Sequence, residues 1–326
     1  MKRFKNILYL VEPGKDQTAA LARAVSLAEN NQAQLTLLQI IEPPRSGILE
    51  GSRTLEALFT GARQHLMAEL ETLAKPYGER LDIAVKVRLG TPYLEAIREV
   101  LAAKRDLVIK LASPEAGILE RFLGGTDLQL LRKCPCPVWV MSPQDKDNYR
   151  RILAAVDFDP WRQETEETLA LNRQILELAC SLALSDFADL HLVHSWEPLS
   201  PEIMRLWNDA GDAGNVGIIA DQVKKEHLRH QEGFERLARQ LRGWIGAETY
   251  DYLTPRLHLL QGTAQETIPA LAARLNFDLV MMGTVGRAGI PGVIIGNTAE
   301  AILGQLRCAL LAVKPADFVT PVTLPD

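Results

Sequence analysis

Short apolar runs alternate with longer amphipathic stretches along the whole chain. Asn6 to Val11 is almost continuously apolar, as are Gln34 to Ile41, Asp106 to Leu111 and Pro137 to Met141. Runs of this length, rich in Val, Ile and Leu and bounded by Gly, Pro or Asp, predict strands buried on both faces. The pattern predicts strands near 6–11, 34–41, 82–89, 106–111 and 137–141, then near 151–157, 188–195, 255–261, 278–282 and 309–314. Between them apolar positions recur at helical spacing, near 15–30, 54–76, 92–104 and 125–133, then near 163–184, 219–245, 264–275 and 297–306. Such alternation predicts an α/β protein with a parallel sheet covered on both faces. Ligands of these sheets bind beyond the C-terminal strand ends, where strand order reverses.

The alternation runs twice, and the two passes match. At one constant spacing, Gly90-Thr91 pairs with Gly262-Thr263, and Asp106-Leu107-Val108 with Asp278-Leu279-Val280. Gly117-Ile118 pairs with Gly289-Ile290, Gly124 with Gly296, Thr126 with Thr298, and Cys136 with Cys308. The openings also correspond, Asn6 to Glu12 with Arg151 to Asp157, and each half has Glu-Pro after its second apolar run, at Glu42-Pro43 and Glu197-Pro198. A duplicated domain explains these matches. The polar segment Gln144 to Asn148 reads as the linker, so one domain is expected over 1–145 and a second over 150–326.

Gly283-Thr284-Val285-Gly286, followed by Gly296-Asn297-Thr298, carries the sharpest chemistry. It lies between the apolar run Leu279 to Met282 and a helical pattern of Ala299, Ile302, Leu303 and Leu306. Strand, glycine loop and helix start build an anion site. Glycines admit close backbone approach, and the helix start offers unpaired N–H groups. The glycines alone are explained equally well by a plain strand-to-helix turn. The spacing is neither the P-loop, which needs Lys-Ser/Thr after the last glycine, nor the dinucleotide fingerprint.

The full string Gly-x2-Gly-x9-Gly-Asn-Thr resembles the ATP-binding motif of the universal stress protein family, with Asn297 where Ser or Thr is commonest. Gln305-Leu306-Arg307-Cys308 and, in the first half, Asp106-Leu107-Val108 and Leu130 to Pro135 carry the resemblance further, so that nearly the whole chain looks like the tandem members of that family. The resemblance implies two doubly wound five-stranded parallel-sheet domains of strand order 3-2-1-4-5, of the adenine nucleotide alpha hydrolase-like kind. It also implies that the fifth strands pair across a pseudo-twofold axis. It places Asp157 near an adenosine, main chain near His194 and Ser195 at the adenine, Gly283 and Gly286 near ribose and phosphates, and Gly296, Asn297 and Thr298 on phosphate oxygens. ATP or a related nucleotide, with or without Mg²⁺, is the implied ligand. Asp159 departs from the pattern. A carboxylate there repels phosphates unless it caps a helix at 161–163 or shares a divalent metal. In the first half Leu111 and Pro114 replace Gly283 and Gly286, and Glu12 replaces Asp157, so that half is expected not to bind ATP in the usual way.

Composition narrows the alternatives. The 326 residues suit two domains, and 47% apolar with 24% charged residues is ordinary for a soluble globular protein. A net charge of −5 argues against general nucleic-acid binding. No apolar run approaches a membrane span, and the start lacks a secretory pattern, so a cytoplasmic location is expected. The cysteines Cys134, Cys136, Cys180 and Cys308 read as reduced core thiols rather than a metal or redox set. His191 and His194 alternate faces on one strand and suit packing or site lining better than one metal. His227 and His230, with Glu226 and Glu232, read as a solvated helix face. Ser113 and Ser195 lack a nucleophile elbow. The Pro-, Gly- and Asn-rich stretch Trp196 to Ala220 reads equally as lid or bystander. The expected function is a nucleotide-binding regulatory protein of stress response, not a fast enzyme, with slow ATP hydrolysis or autophosphorylation left open. A scaffold or binder of a nonpolar small molecule is the alternative. Internal domain pairing is expected, and a further homodimer is left open.

Overall fold

The computed structural model describes residues 4–43, 53–112, 125–142, 145, 148–161, 165–198, 215–284 and 296–325. The first half contains β1 (Asn6–Leu10), α1 (Thr18–Asn31), β2 (Gln34–Ile41), α2 (Arg53–Ala74), β3 (Ile83–Leu89), α3 (Pro92–Ala103), β4 (Leu107–Leu111), α4 (Gly125–Lys133) and β5 (Val138–Met141). The second repeats the plan with β6 (Arg151–Ala155), α5 (Glu166–Asp186), β7 (Asp189–Trp196), α6 (Asn215–Ile245), α7 (Ala247–Leu253), β8 (Arg256–Gln261), α8 (Ala264–Arg274), β9 (Leu279–Gly283), α9 (Asn297–Leu303) and β10 (Ala309–Val313). The ten strands form one sheet in the order β3-β2-β1-β4-β5-β10-β9-β6-β7-β8. Within each half all pairings are parallel. Each half therefore has the order 3-2-1-4-5, and the expected α/β class holds.

The strands are apolar on both sides because helices cover both sides. Tyr9, Ile109 and Trp139 belong to one core cluster, under α1 and α5, while Leu8, Val108 and Val140 belong to the other, under α3, α4, α8 and α9. The repeated Gly-Thr pairs have a geometric cause. Gly90 and Gly262 sit at φ 148° and 128°, and a Cβ there would lie 2.8 Å from Glu95 Cγ and 2.9 Å from Thr267 Cγ2. Each turn needs glycine to enter the next helix. The sequence pattern misses α7. It ends the long helix at 245 and assigns nothing before the strand at 255, whereas Gly246, with a φ of 88°, breaks one helix and starts another.

The halves join where β5 and β10 pair antiparallel, Leu310 opposite Val140 and Ala312 opposite Val138. This pairing satisfies two strands that would otherwise be apolar edges. On one face, Arg23 of α1 forms a forked, buried ion pair with Asp186 of α5 and stacks over the rings of Trp139 and Tyr149 at 5.4 and 4.7 Å. On the other, Arg132 of α4 meets Glu300 of α9 at 3.1 Å.

Candidate functional site

In the second half strand order reverses between β6 and β9, which are direct neighbours. Their C-terminal ends converge on one edge. Asp157 lies two residues beyond β6 and is exposed. Its main chain is held by buried Asn172 of α5. The Asn172 Nδ2 donates to Asp157 O at 2.8 Å, and Asp157 N donates to Asn172 Oδ1 at 3.2 Å. The first half repeats the clamp, with Gln17 Nε2 donating to Glu12 O at 2.7 Å and Glu12 N to Gln17 Oε1 at 3.2 Å. Measured back from the left-handed residues that end α1 and α5, Gln32 and Phe187, Gln17 and Asn172 are equivalent.

Gly283 ends β9. A Cβ there would lie 3.0 Å from Leu171 Cδ2 and 3.8 Å from Ile175 Cδ1, so the first turns of α5 press on this backbone. The glycine has a packing reason beside any ligand reason. Next to it, Thr284 O accepts from Gly296 N at 3.0 Å. That bond brings the two ends of the glycine segment together. Asn297 and Thr298 follow, exposed, in the first turn of α9. The fold thus gathers Asp157, Gly283, Gly296, Asn297 and Thr298 at one sheet edge. Gly286 lies outside the described residues, as do Ser113, Pro114, Gly117, Ile118, Gly124, Gly289, Ile290 and much of the 196–220 stretch. Sequence reasoning passes over Thr284 itself. Its side chain is fully buried, and its hydroxyl has no hydrogen-bond partner among the described residues. An unmade bond of this kind costs about 1–3 kcal/mol. A threonine directly after the motif glycine is the one available signal.

Ser195 stands at the same end of β7. Its hydroxyl lies 2.7 Å from Thr267 Oγ1 on α8, so the side chain is engaged with that helix. His194 points to the opposite face, as strand alternation requires. Its Nδ1 is 3.2 Å from Val156 O, which can only accept, so Nδ1 carries the proton. In the neutral ring Nε2 then accepts from His230 Nδ1 at 2.9 Å. His194 stacks on Phe158 at 3.8 Å between ring centres, and His230 stacks on Trp196 at 5.4 Å. Phe158 fits because α6 has Gly233 there. A Cβ on Gly233 would lie 2.6 Å from the ring. Burial lowers the His230 pKa from its ordinary value. The expectation that His230 belongs to a solvated helix face is therefore corrected. The helix folds back across β7, and a contact over that sequence distance leaves no local pattern.

Asp159 Oδ1 accepts from Trp161 N at 2.9 Å. It caps the turn at 160–161, while residues 162 and 163 of the expected helix lie outside the described residues, and Thr165 caps α5, through Thr168 N at 3.2 Å. Among the described residues no group of three or more His, Cys, Asp or Glu is placed to hold a metal ion. His191 faces away from His194, its Nδ1 2.7 Å from His258 Nε2. Burial pushes the His191 pKa down to about 4. The Cys134 and Cys136 sulfurs are buried 3.6 Å apart, and the hydrogen bond between them, with burial, raises the Cys136 pKa well above its usual value. No helix among the described residues is long and apolar enough to cross a membrane.

Comparison with known proteins agrees with this architecture. The model of the universal stress protein family matches residues 3–142 and again 148–314. The chain is 30% identical to universal stress protein E of Escherichia coli (strain K12), over 100% of this chain and 99% of that relative. A solved structure from Pseudomonas aeruginosa UCBPP-PA14, assigned to the universal stress proteins, is 25% identical, with a TM-score of 0.68, covering 97% of this chain and 95% of that one. A universal stress protein from Archaeoglobus fulgidus DSM 4304, 17% identical, shares the fold with a TM-score of 0.63 over 97% of this chain and 98% of its own. Two consecutive family matches, one for each half of a continuous ten-stranded sheet, establish that the chain belongs to the universal stress protein family as a tandem member.

Proposed function

We propose that the second half binds one molecule of ATP or a related adenine nucleotide, with or without Mg²⁺, and that the protein acts in stress response by binding rather than turnover. The carrying observation is the Gly296 N–Thr284 O bond, which holds Gly296 next to the end of β9, the strand that neighbours β6 and Asp157 at the switch point. In this reading the Gly283–Gly286 loop takes ribose and phosphates, and Gly296, Asn297 and Thr298 take phosphate oxygens. Asp157 meets the ribose hydroxyls, and main chain at Ser195 meets the base. The buried Thr284 hydroxyl, one residue past Gly283, has no hydrogen-bond partner among the described residues. The domain division, 1–145 and 150–326, belongs to the same proposal.

A second reading has a specific observation behind it. Phe158, His194, His230 and Trp196 form an aromatic stack beside Asp157, which suits a nonpolar small molecule. Calorimetric titration with ATP and Mg²⁺ separates the two. A stoichiometry near one, abolished by Gly286→Val in a folded protein, supports the nucleotide reading. Absence of heat and of competition by ATP against a bound apolar dye favours the second.

A further inference from the structure

The two crevices differ in charge in a way that strand order does not require. Lys110, one residue before the end of β4, is completely buried. Its Nζ lies 2.6 Å from Glu12 Oε1 and also pairs with Asp127, itself fully buried in the first turn of α4. Glu12 follows β1, and β1 and β4 are the neighbours between which strand order reverses in the first half. The ammonium therefore stands where doubly wound sheets take their ligands. The repeat places Met282 at the position of Lys110 and Ala299 at that of Asp127, both in an apolar cluster. The second half has neither this cation nor this buried anion.

We infer that Lys110 is an internal ligand, whose ammonium fills the first half's crevice and closes it to nucleotides. The crevice is a primary-ammonium site by its chemistry. Two carboxylates, Glu12 and Asp127, converge on it, and Lys15 stands 4.0 Å from the other oxygen of Glu12. A phosphate entering there would meet both carboxylates at short range and would have to break a buried ion pair. Asp127, at zero exposure, is a buried charge that the Lys110 ammonium pairs. The pairing of Met282 with Ala299 follows from the same rule, since removing one partner alone would strand the other. This inference deepens the one-nucleotide reading, and rests on it only for the contrast with the second half.

The test is chemical rescue in the full-length chain. Lys110→Ala should lower the Tm by roughly 5–10 °C. Millimolar n-butylammonium should restore at least half of that loss, saturably, and leave the parent protein unmoved. Tetramethylammonium, which donates no hydrogen bond, should not rescue. An unchanged Tm in Lys110→Ala, or equal effects of both ions on variant and parent, overturns the inference. Should Lys110→Ala not fold, the double variant Lys110→Met/Asp127→Ala, which installs the second half's pair, should fold with a Tm within a few degrees of the parent. Failure of that double variant to fold also overturns it. ATP titration keeps the two proposals apart. Loss of ATP binding in parent and variant alike sinks the second-half site, while rescue by n-butylammonium is scored on Tm alone.

Discussion

The first half closes the loop after its first strand within five residues, from Glu12 to Gln17, whereas the second takes fifteen, from Asp157 to Asn172. Both loops end in the same side-chain clamp, so the strand and helix they connect keep their relation. The added residues change what surrounds the crevice. They place Phe158 on His194 and set Trp161 under Arg229, with the guanidinium 3.6 Å from the ring centre. They also lengthen α5, so that Leu171 comes down on Gly283. Where the second half has Gly283, the first has Leu111, buried in the same core cluster with no lengthened helix above it. The outer layers diverge too. Buried Glu99 of α3 collects Lys86, Arg88 and Arg105 at 2.8, 2.6 and 2.7 Å. The repeat replaces these four with Leu271, His258, Leu260 and Phe277. Sheet order and helix placement survive duplication because they rest on many apolar contacts. Crevice chemistry diverges because it rests on a few side chains that can be exchanged in matched sets.

The strongest challenge to this comparison is to separate the halves. Residues 150–326 expressed alone expose β10, whose five residues are all buried in the intact chain. The fragment should self-associate or lose solubility, since its partner strand β5 is gone. Size-exclusion chromatography returning a soluble monomer of native-like stability would refute a seam needed by both halves.

Gly283→Leu, which copies Leu111 into the second half, sharpens the comparison next. The new side chain collides with Leu171, and overpacking of this kind costs about 1–3 kcal/mol. Leu171→Ala in the same chain should recover most of the loss in urea unfolding. If Gly283→Leu alone is neutral, the close approach of α5 does not explain the glycine.

The smallest effect concerns pH. Burial depresses the pKa of both His191 and His258 below the ordinary 6.5, His191 to about 4. A base with a lowered folded pKa contributes stability above its unfolded value, and the contribution is lost as pH falls from 6.5 towards 4. The first half carries Thr36 and Lys86 at these positions and has no such pair. Acid should therefore weaken the second half by about 1 kcal/mol, after allowing for partial solvation. His191→Thr should flatten the dependence of the urea midpoint between about pH 7 and 5. A variant as acid-sensitive as its parent would place the titration elsewhere.

Several of these features are legible in the amino-acid sequence. Asp157 and the glycine segment stand out as residue types at fixed spacings, and Leu111 already marks the first half as different. Lys110 shows only as a lone charge in the apolar run Leu107 to Leu111, with nothing local to say what it meets. Gly283 reads as room for a ligand, yet its packing cause lies in a helix more than a hundred residues earlier. His230 reads as solvated because its partner, His194, lies 36 residues away on another element.

By itself the sequence determined the strands and every helix but α7, their duplication and the class of the sheet. Those follow from periodicity and from residues such as Gly90 and Gly262, whose backbone conformations few other residues adopt. The tertiary structure decided which charges meet. Lys110 reaches Glu12 and Asp127 only because β4 lies beside β1 and the first turn of α4 returns to the end of β4. Arg23 finds Asp186 only because β5 and β10 join the halves. Periodicity reports which face of an element is buried. It carries no information about which distant side chain will be buried against it, and in a low-dielectric interior that pairing sets whether a crevice is open or filled.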